Sequence, residues 1–287
     1  MEAQSGRGVR YAFSKRIMIP IKRGKDIDAM RLSCRLVAEV VEALRSVLAP
    51  GVRTAEVDRY AAELIAARGG KSAFLGYRGF PGTICISVNE EVVHGIAGER
   101  VLQYGDLVKL DVGLVKNGWV GDTAATVSIG MAEAGDLKLI EVTRQALWEG
   151  ISQAWEGNRI GDIAAAIERC VRAQGLEVVR EFVGHGVGRK LHEEPQVPNY
   201  GRTGTGPRLK PGMTLAIEPM VNAGGAGVRL LSDGWTVVTE DGRRSAHFEH
   251  TVLITKGEPE VLTDHEAVGG SADKGPAAAG EEEGSGK

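Results

Sequence analysis

Lys109 to Thr126 reads KLDVGLVKNGWVGDTAAT, two apolar runs on either side of Lys116-Asn117-Gly118. A turn signal between apolar runs of this kind marks a β-hairpin. Two acids interrupt the pattern: Asp111 stands among Val108, Leu110, Val112 and Leu114, and Asp122 follows Trp119 and Val120. Aspartate is among the poorest strand residues and is seldom buried without a partner or a metal. A two-residue loop at Lys116-Asn117 sets Asp111 directly opposite Asp122, whereas a loop at Asn117-Gly118 makes them diagonal neighbours on one face. In either register the Cβ atoms lie roughly 5–8 Å apart; only an odd-length loop puts the acids on opposite faces. Carboxylates that close repel, and one is driven protonated unless a cation sits between them. The stretch is therefore either half of a metal site or a pair of unrelated surface acids beside a turn.

The surrounding chain repeats itself. Met30, Cys34, Val37, Val41, Leu44 and Leu48 recur at helical spacing up to Pro50-Gly51. A second helix follows, with Thr54 as N-cap, Glu56 and Asp58 in its first turn, and an end at Gly69-Gly70. Strand-like runs come next at Ile84–Val88, Leu107–Val115 and Trp119–Ile129. The order then recurs, with a helix from about Asp136 to Glu156, Gly157-Asn158-Arg159 standing where Gly51-Val52-Arg53 stood, and a helix over Ile163–Ala173. GDLVKLDV (Gly105–Val112) aligns with GMTLAIEP (Gly212–Pro219) at an offset of 107 positions, against 106 between Gly51 and Gly157, so Asp111 falls on Glu218. AHFEHTVLIT (Ala246–Thr255) reads as the partner strand, with Glu249 in its middle. Each half thus offers two carboxylates, and FVGHGVGRKLHEEP adds His185, flanked by glycines and set at a strand end or tight turn.

Composition narrows the setting. The chain has 287 residues, 43% hydrophobic and 25% charged, with a net charge of -3, an ordinary globular composition with ample chain for a core. Nothing in that balance calls for nucleic acid overall, although Met1–Lys25 carries seven Lys/Arg against one acid, an arm that suits an anionic surface such as ribosomal RNA or simply water. Three widely spaced cysteines form neither a disulfide framework nor a metal knuckle and favour a reducing, cytoplasmic compartment. No signal-peptide core and no membrane-length apolar run is present. From Gly269 the sequence is a Gly/Ala/Glu tail that cannot build a core. The expected organisation is a flexible basic arm over 1–20, one folded domain over 21–265 and a disordered tail over 266–287.

Four carboxylates and an imidazole suit two divalent ions of intermediate hardness, such as Mn, Fe, Co or Zn. Two such ions acidify a water, polarise a carbonyl and hold attacking and leaving atoms together, which implies hydrolysis of an amide or ester. No Gly-x-Ser-x-Gly elbow argues for a serine hydrolase, GYRGFPG lacks the Lys-Ser/Thr of a P-loop, and HEEPQ lacks the second histidine of a zincin.

KLDVGLVKNGWVGDTAATV, FVGHGVGRKLHEEPQVPNY, LKPGMTLAIEPMVNAG, SAHFEHTVLIT and LGYRGFPGTICISVNEEVVHGI together resemble the type I methionine aminopeptidases over about Ile21 to Thr263. The resemblance implies an α/β (α+β) pita-bread fold, two pseudo-symmetric halves of antiparallel strands covered by helices. It implies five metal ligands, with Asp122 and Glu249 bridging two ions, Asp111 completing one, and His185 and Glu218 the other. It also implies that His192 hydrogen-bonds the scissile amide, that His94 lines the cleft near the substrate's second residue, and that Glu218 shuttles a proton. Tyr77, Phe80, Cys85 and Trp235 match the slot for the methionine side chain. The implied substrates are nascent chains beginning with methionine and a small second residue, the implied setting a cytoplasmic monomer.

Some positions depart from the family pattern: Phe74 stands where a small cysteine is frequent, Leu191 replaces an aromatic beside His192, and Ala97 stands where proline is usual. None removes a ligand. No zinc-finger extension or long insertion supports a type II enzyme. An Xaa-Pro aminopeptidase or prolidase, or a non-catalytic pita-bread protein that binds peptides, RNA or histones, are the alternative readings. The former usually carry a separate N-terminal domain and the latter typically lose metal ligands.

Overall fold

The computed structural model describes residues 18–264. Residues 1–17 of the expected arm and all of the expected tail lie outside these. Ile19 packs against the core, and Lys22, one of the seven basic residues counted in the N-terminal segment, is buried in an ion pair with Glu193 at 2.6 Å.

Four helices carry the repeat: α1 (Lys25–Arg45), α2 (Thr54–Ala67), α3 (Ala134–Ile151) and α4 (Ile160–Ala173). Asp26 and Asp28 occupy the first turn of α1, where they complement its dipole, so it begins before Met30. It stops short of Leu48, ahead of Pro50. The N-cap of α2 is Arg53, not Thr54, because the Glu56 carboxylate accepts the Arg53 backbone N–H at 3.0 Å. Thr54 is the first helical residue, and its hydroxyl exchanges hydrogen bonds with the Gly98 backbone. The second half reproduces this device: Arg159 caps α4 and the Asp162 carboxylate accepts its N–H at 2.7 Å. That cap starts α4 three residues before the expected Ile163. In the same way Gly51 N–H donates to the Leu102 carbonyl and Gly157 N–H to that of Leu209, both glycines lying at φ near +92°.

Among the described residues the strands pair antiparallel throughout. The first half centres on Leu107–Lys116 and Trp119–Ser128, flanked by Cys85–Val88 and Lys71–Ser72. Asn117 and Gly118 both have positive φ, the requirement of a two-residue primed turn. Of the two even registers, this turn selects the one in which Asp111 faces Ala124 and Asp122 faces Gly113.

The second half has the same plan with an interruption. Where one strand was expected over Ala246–Thr255, there are two, Ser245–His247 and His250–Leu253. Their partners are likewise split, into Met220–Asn222 and Thr214–Ile217, by Glu218 and Pro219. Pro219 has no N–H to donate, and Glu249 spends its own N–H and carbonyl on Ala124 across the seam. Register survives the break, since His250 faces Ile217 and Met220 faces His247, which leaves Glu218 and Glu249 at facing positions.

Around the Ala124–Glu249 bridge the halves exchange threonine hydroxyls. Thr126 donates to the His247 carbonyl at 2.7 Å, and Thr251 donates to the Asp122 carbonyl at 2.8 Å. One apolar core spans both halves beneath this seam. Gly121 lets α1 press directly on the hairpin: a Cβ there would stand 2.6 Å from the Ser33 carbonyl group.

A candidate metal centre at the seam

The hairpin register points Asp111 and Asp122 to one face, and Cys85, directly opposite Asp111 on the neighbouring strand, shares it. His185 enters on the short strand Gly184–Gly186, squeezed between Glu193–Val197 and Thr214–Ile217. Its glycine neighbours are required there, because a Cβ at Gly184 would run into the Ala216 carbonyl and one at Gly186 into that of Glu194. The two interruptions of the second half turn Glu218 and Glu249 out of the ladder towards the same point.

Asp122, His185 and Glu249 are buried and offer donor atoms that all lie within 4.8 Å of one another. Nδ1 of His185 faces the Gly186 carbonyl at 2.9 Å; a carbonyl only accepts, so that nitrogen carries the proton. Nε2 is left as a lone-pair donor, 3.5 Å from Glu218 Oε1 and 3.8 Å from Asp122 Oδ2. Asp122 Oδ1 and Glu249 Oε1 are buried without a hydrogen-bond partner. Orphaned carboxylate oxygens in a dry site are costly unless a cation compensates them. Burial pushes Asp111 up to about 7 and Glu218 up to about 8, and pushes Asp122 and Glu249 well up, the neighbouring acids adding to the last two. His185 is driven the other way, to about 3, by burial and then by His192. Repelled carboxylates and a neutral, pre-oriented imidazole fit a divalent ion of intermediate hardness.

These groups floor a cleft of about 370 Å³ that every residue expected at the site lines. Tyr77 OH meets His192 Nδ1 at 2.8 Å at the mouth, and the His192 ring stands 4.2 Å from that of His185, centroid to centroid. His94 holds a left-handed φ of 60°, and its ring meets Phe182 and Trp235 edge to face. Trp235 packs on Phe80 with centroids 5.2 Å apart. With Cys85, whose thiol burial keeps protonated, Phe80, Phe182 and Trp235 give the same cleft an apolar, aromatic lining.

A model of metallopeptidase family M24 matches residues 28–256. The chain belongs to metallopeptidase family M24. This M24 chain is 49% identical to methionine aminopeptidase 1 of Bacillus subtilis (strain 168) over 246 residues, 86% of this chain and 99% of the relative. Methionine aminopeptidase from Thermotoga maritima, 45% identical, superposes with a TM-score of 0.85 over 86% of this chain and all of its own. Prolidase from Pyrococcus furiosus, 23% identical with a TM-score of 0.69 over 85% of this chain and 65% of its own, shares the fold alone. The pita-bread architecture of these neighbours is that of the M24 chain, and the protein is a metal-dependent hydrolase.

The cleft also includes residues that the sequence did not single out, among them Arg78, Phe182, Gln196 and Met220. Phe182 and Met220 sit inside quoted motifs, but their apolar character reads as core. His247, which approaches Glu218 at 3.5 Å, is a further residue that the sequence did not single out, and a strand's period of two places it on the face of Glu249.

Proposed function

We propose that the protein removes the N-terminal methionine of peptides with two divalent ions, Mn, Fe, Co or Zn, held by Asp111, Asp122, His185, Glu218 and Glu249. One observation carries the reading: Asp122, His185 and Glu249 converge within 4.8 Å in a cleft that apolar and aromatic side chains also line. Asp122 and Glu249 would be shared between the ions, with Asp111 serving one and His185 and Glu218 the other. The bound ions supply Lewis acidity to the scissile carbonyl and acidify a water.

The chain's own residues do the rest. Tyr77, Phe80, Cys85 and Trp235 take the unbranched, polarisable methionine side chain. Tyr77 donates its O–H to His192 Nδ1, which leaves the His192 Nε2–H to hold the amide oxygen as charge grows on it. His94, pushed down to about 4 by burial, is neutral at pH 7 and contacts the second residue or the leaving amine. Glu218, whose ionised carboxylate burial makes more basic, takes the proton of the attacking water and passes it to the amine as the C–N bond breaks. A large second residue would crowd His94, so small ones are preferred. The cysteine usage supports a cytoplasmic setting, the basic N-terminal segment supports contact with ribosomal RNA, and we read the protein as a monomer.

The test is methionine release from Met-Gly-Met by metal-stripped protein with each ion added back. Metal-dependent release, abolished in Asp122→Ala and reduced about 100-fold or more in His192→Ala, supports the reading. A folded protein inactive with every ion, or one active only on Xaa-Pro peptides, ends it.

A further inference from the structure

We propose that His247 is a positioning residue of the metal centre, its Nε2–H holding Oε2 of Glu218 so that Oε1 stays turned towards His185. The inference rests on the metal-centre reading above. His247 is buried, and neither ring nitrogen has a hydrogen-bond partner among the described residues. Nε2 lies 3.5 Å from Glu218 Oε2, while the other oxygen of the same carboxylate lies 3.5 Å from His185 Nε2. One carboxylate is thus spanned by two imidazoles, one on each oxygen.

The backbone of His247 is fixed for this task. Thr126 donates its hydroxyl to the His247 carbonyl and accepts the His247 N–H at 2.9 Å. Lys109, buried on the hairpin, gives its Nζ protons to the Asn89 and Ser245 carbonyls, and Asp111 is the other acid whose charge reaches the His247 ring.

The repeat makes the assignment sharper. Glu218 corresponds to Asp111, and at the same offset Met220 corresponds to Gly113. Gly113 faces Asp122 and Met220 faces His247, so His247 occupies in the second half the place that Asp122 holds in the first. The threonine bonds agree, because the carbonyls they reach across the seam are those of Asp122 and His247. His247 Nε2 meets the Glu218 oxygen that is turned away from His185, so it acts on a residue of the metal centre from its far side.

The test compares wild type with H247Q, which puts an amide N–H where Nε2 sits, and H247M, which fills the space without a donor. Metal-stripped full-length proteins are titrated with Mn(II) by calorimetry. H247M is expected to bind at least tenfold more weakly, and H247Q to recover to within about threefold of wild type. Wild-type affinity in H247M, or H247Q as weak as H247M, overturns the proposal. On Zn(II)-loaded wild type, long-range 1H–15N spectra, assigned by the signal lost in H247Q, are expected to show His247 protonated at Nε2 alone. The Nδ1-protonated tautomer overturns it whatever the variants do. A wild type that binds no Mn(II) overturns the metal-centre reading first, and with it the role of His247.

Discussion

At the residue scale the cleft depends on a few side chains whose environment leaves little choice. Tyr77 and His192 share one hydrogen bond at an exposed mouth, so its loss should show in turnover and not in folding. Tyr77→Phe is expected to lower kcat/KM about tenfold, one hydrogen bond's worth, with the melting temperature within about 2 °C of wild type. Gly95 is the reverse case. A Cβ there would run into the Ile86 carbonyl, and Ser87 Oγ already binds its N–H. Gly95→Ala should cost about 1–3 kcal/mol in urea denaturation, and it should also impair turnover, because His94 next to it is held in a left-handed conformation.

Among the elements, the caps carry a prediction of their own. The Asp162 carboxylate accepts the N–H of Arg159 at the start of α4 and that of Gly204 from a facing loop. Asp162→Ala should cost about 1–2 kcal/mol by chemical denaturation, without changing metal affinity. The hairpin was readable because Asn117-Gly118 permits only a few registers, each with a stated consequence for Asp111 and Asp122. The repeat was readable because its glycines and acids recur at nearly the same offset, 106 positions from Gly51 to Gly157 and 107 from Asp111 to Glu218. The broken second-half strands were not, because Ser245–Leu253 alternates like any strand, and what breaks it is the Glu249 backbone pairing with Ala124, more than a hundred residues away. His247 escaped for the same reason: its meaning lies in the approach of Glu218 from another strand, and a lone histidine on an apolar run carries no such sign.

For the whole molecule, the buried ionisable groups set opposing limits on the metal-free protein. Asp111 and Glu218, raised to about 7 and about 8, bind protons more tightly folded than unfolded. Stability therefore falls as pH rises from about 4 to about 8. His185, lowered to about 3, and His94 and His247, lowered to about 4, act in the opposite sense, and stability falls as pH drops below about 6.5. Calorimetric melting of the metal-stripped protein should peak at mildly acidic pH. Excess Mn(II) should raise the melting temperature most near pH 8, where it compensates ionised acids, and a metal effect that is flat across pH would contradict this. The seam itself tells a further story. Thr126 reaches the carbonyl of His247 while Thr251 reaches that of Asp122, and Ala124 and Glu249 exchange bonds between them. Exchanged pairs of this kind are what two copies of one chain make about a twofold axis. The seam is in that sense a dimer interface written into a single polypeptide. Once its two sides are encoded separately they no longer have to match, which lets one side carry an aspartate and the other a histidine.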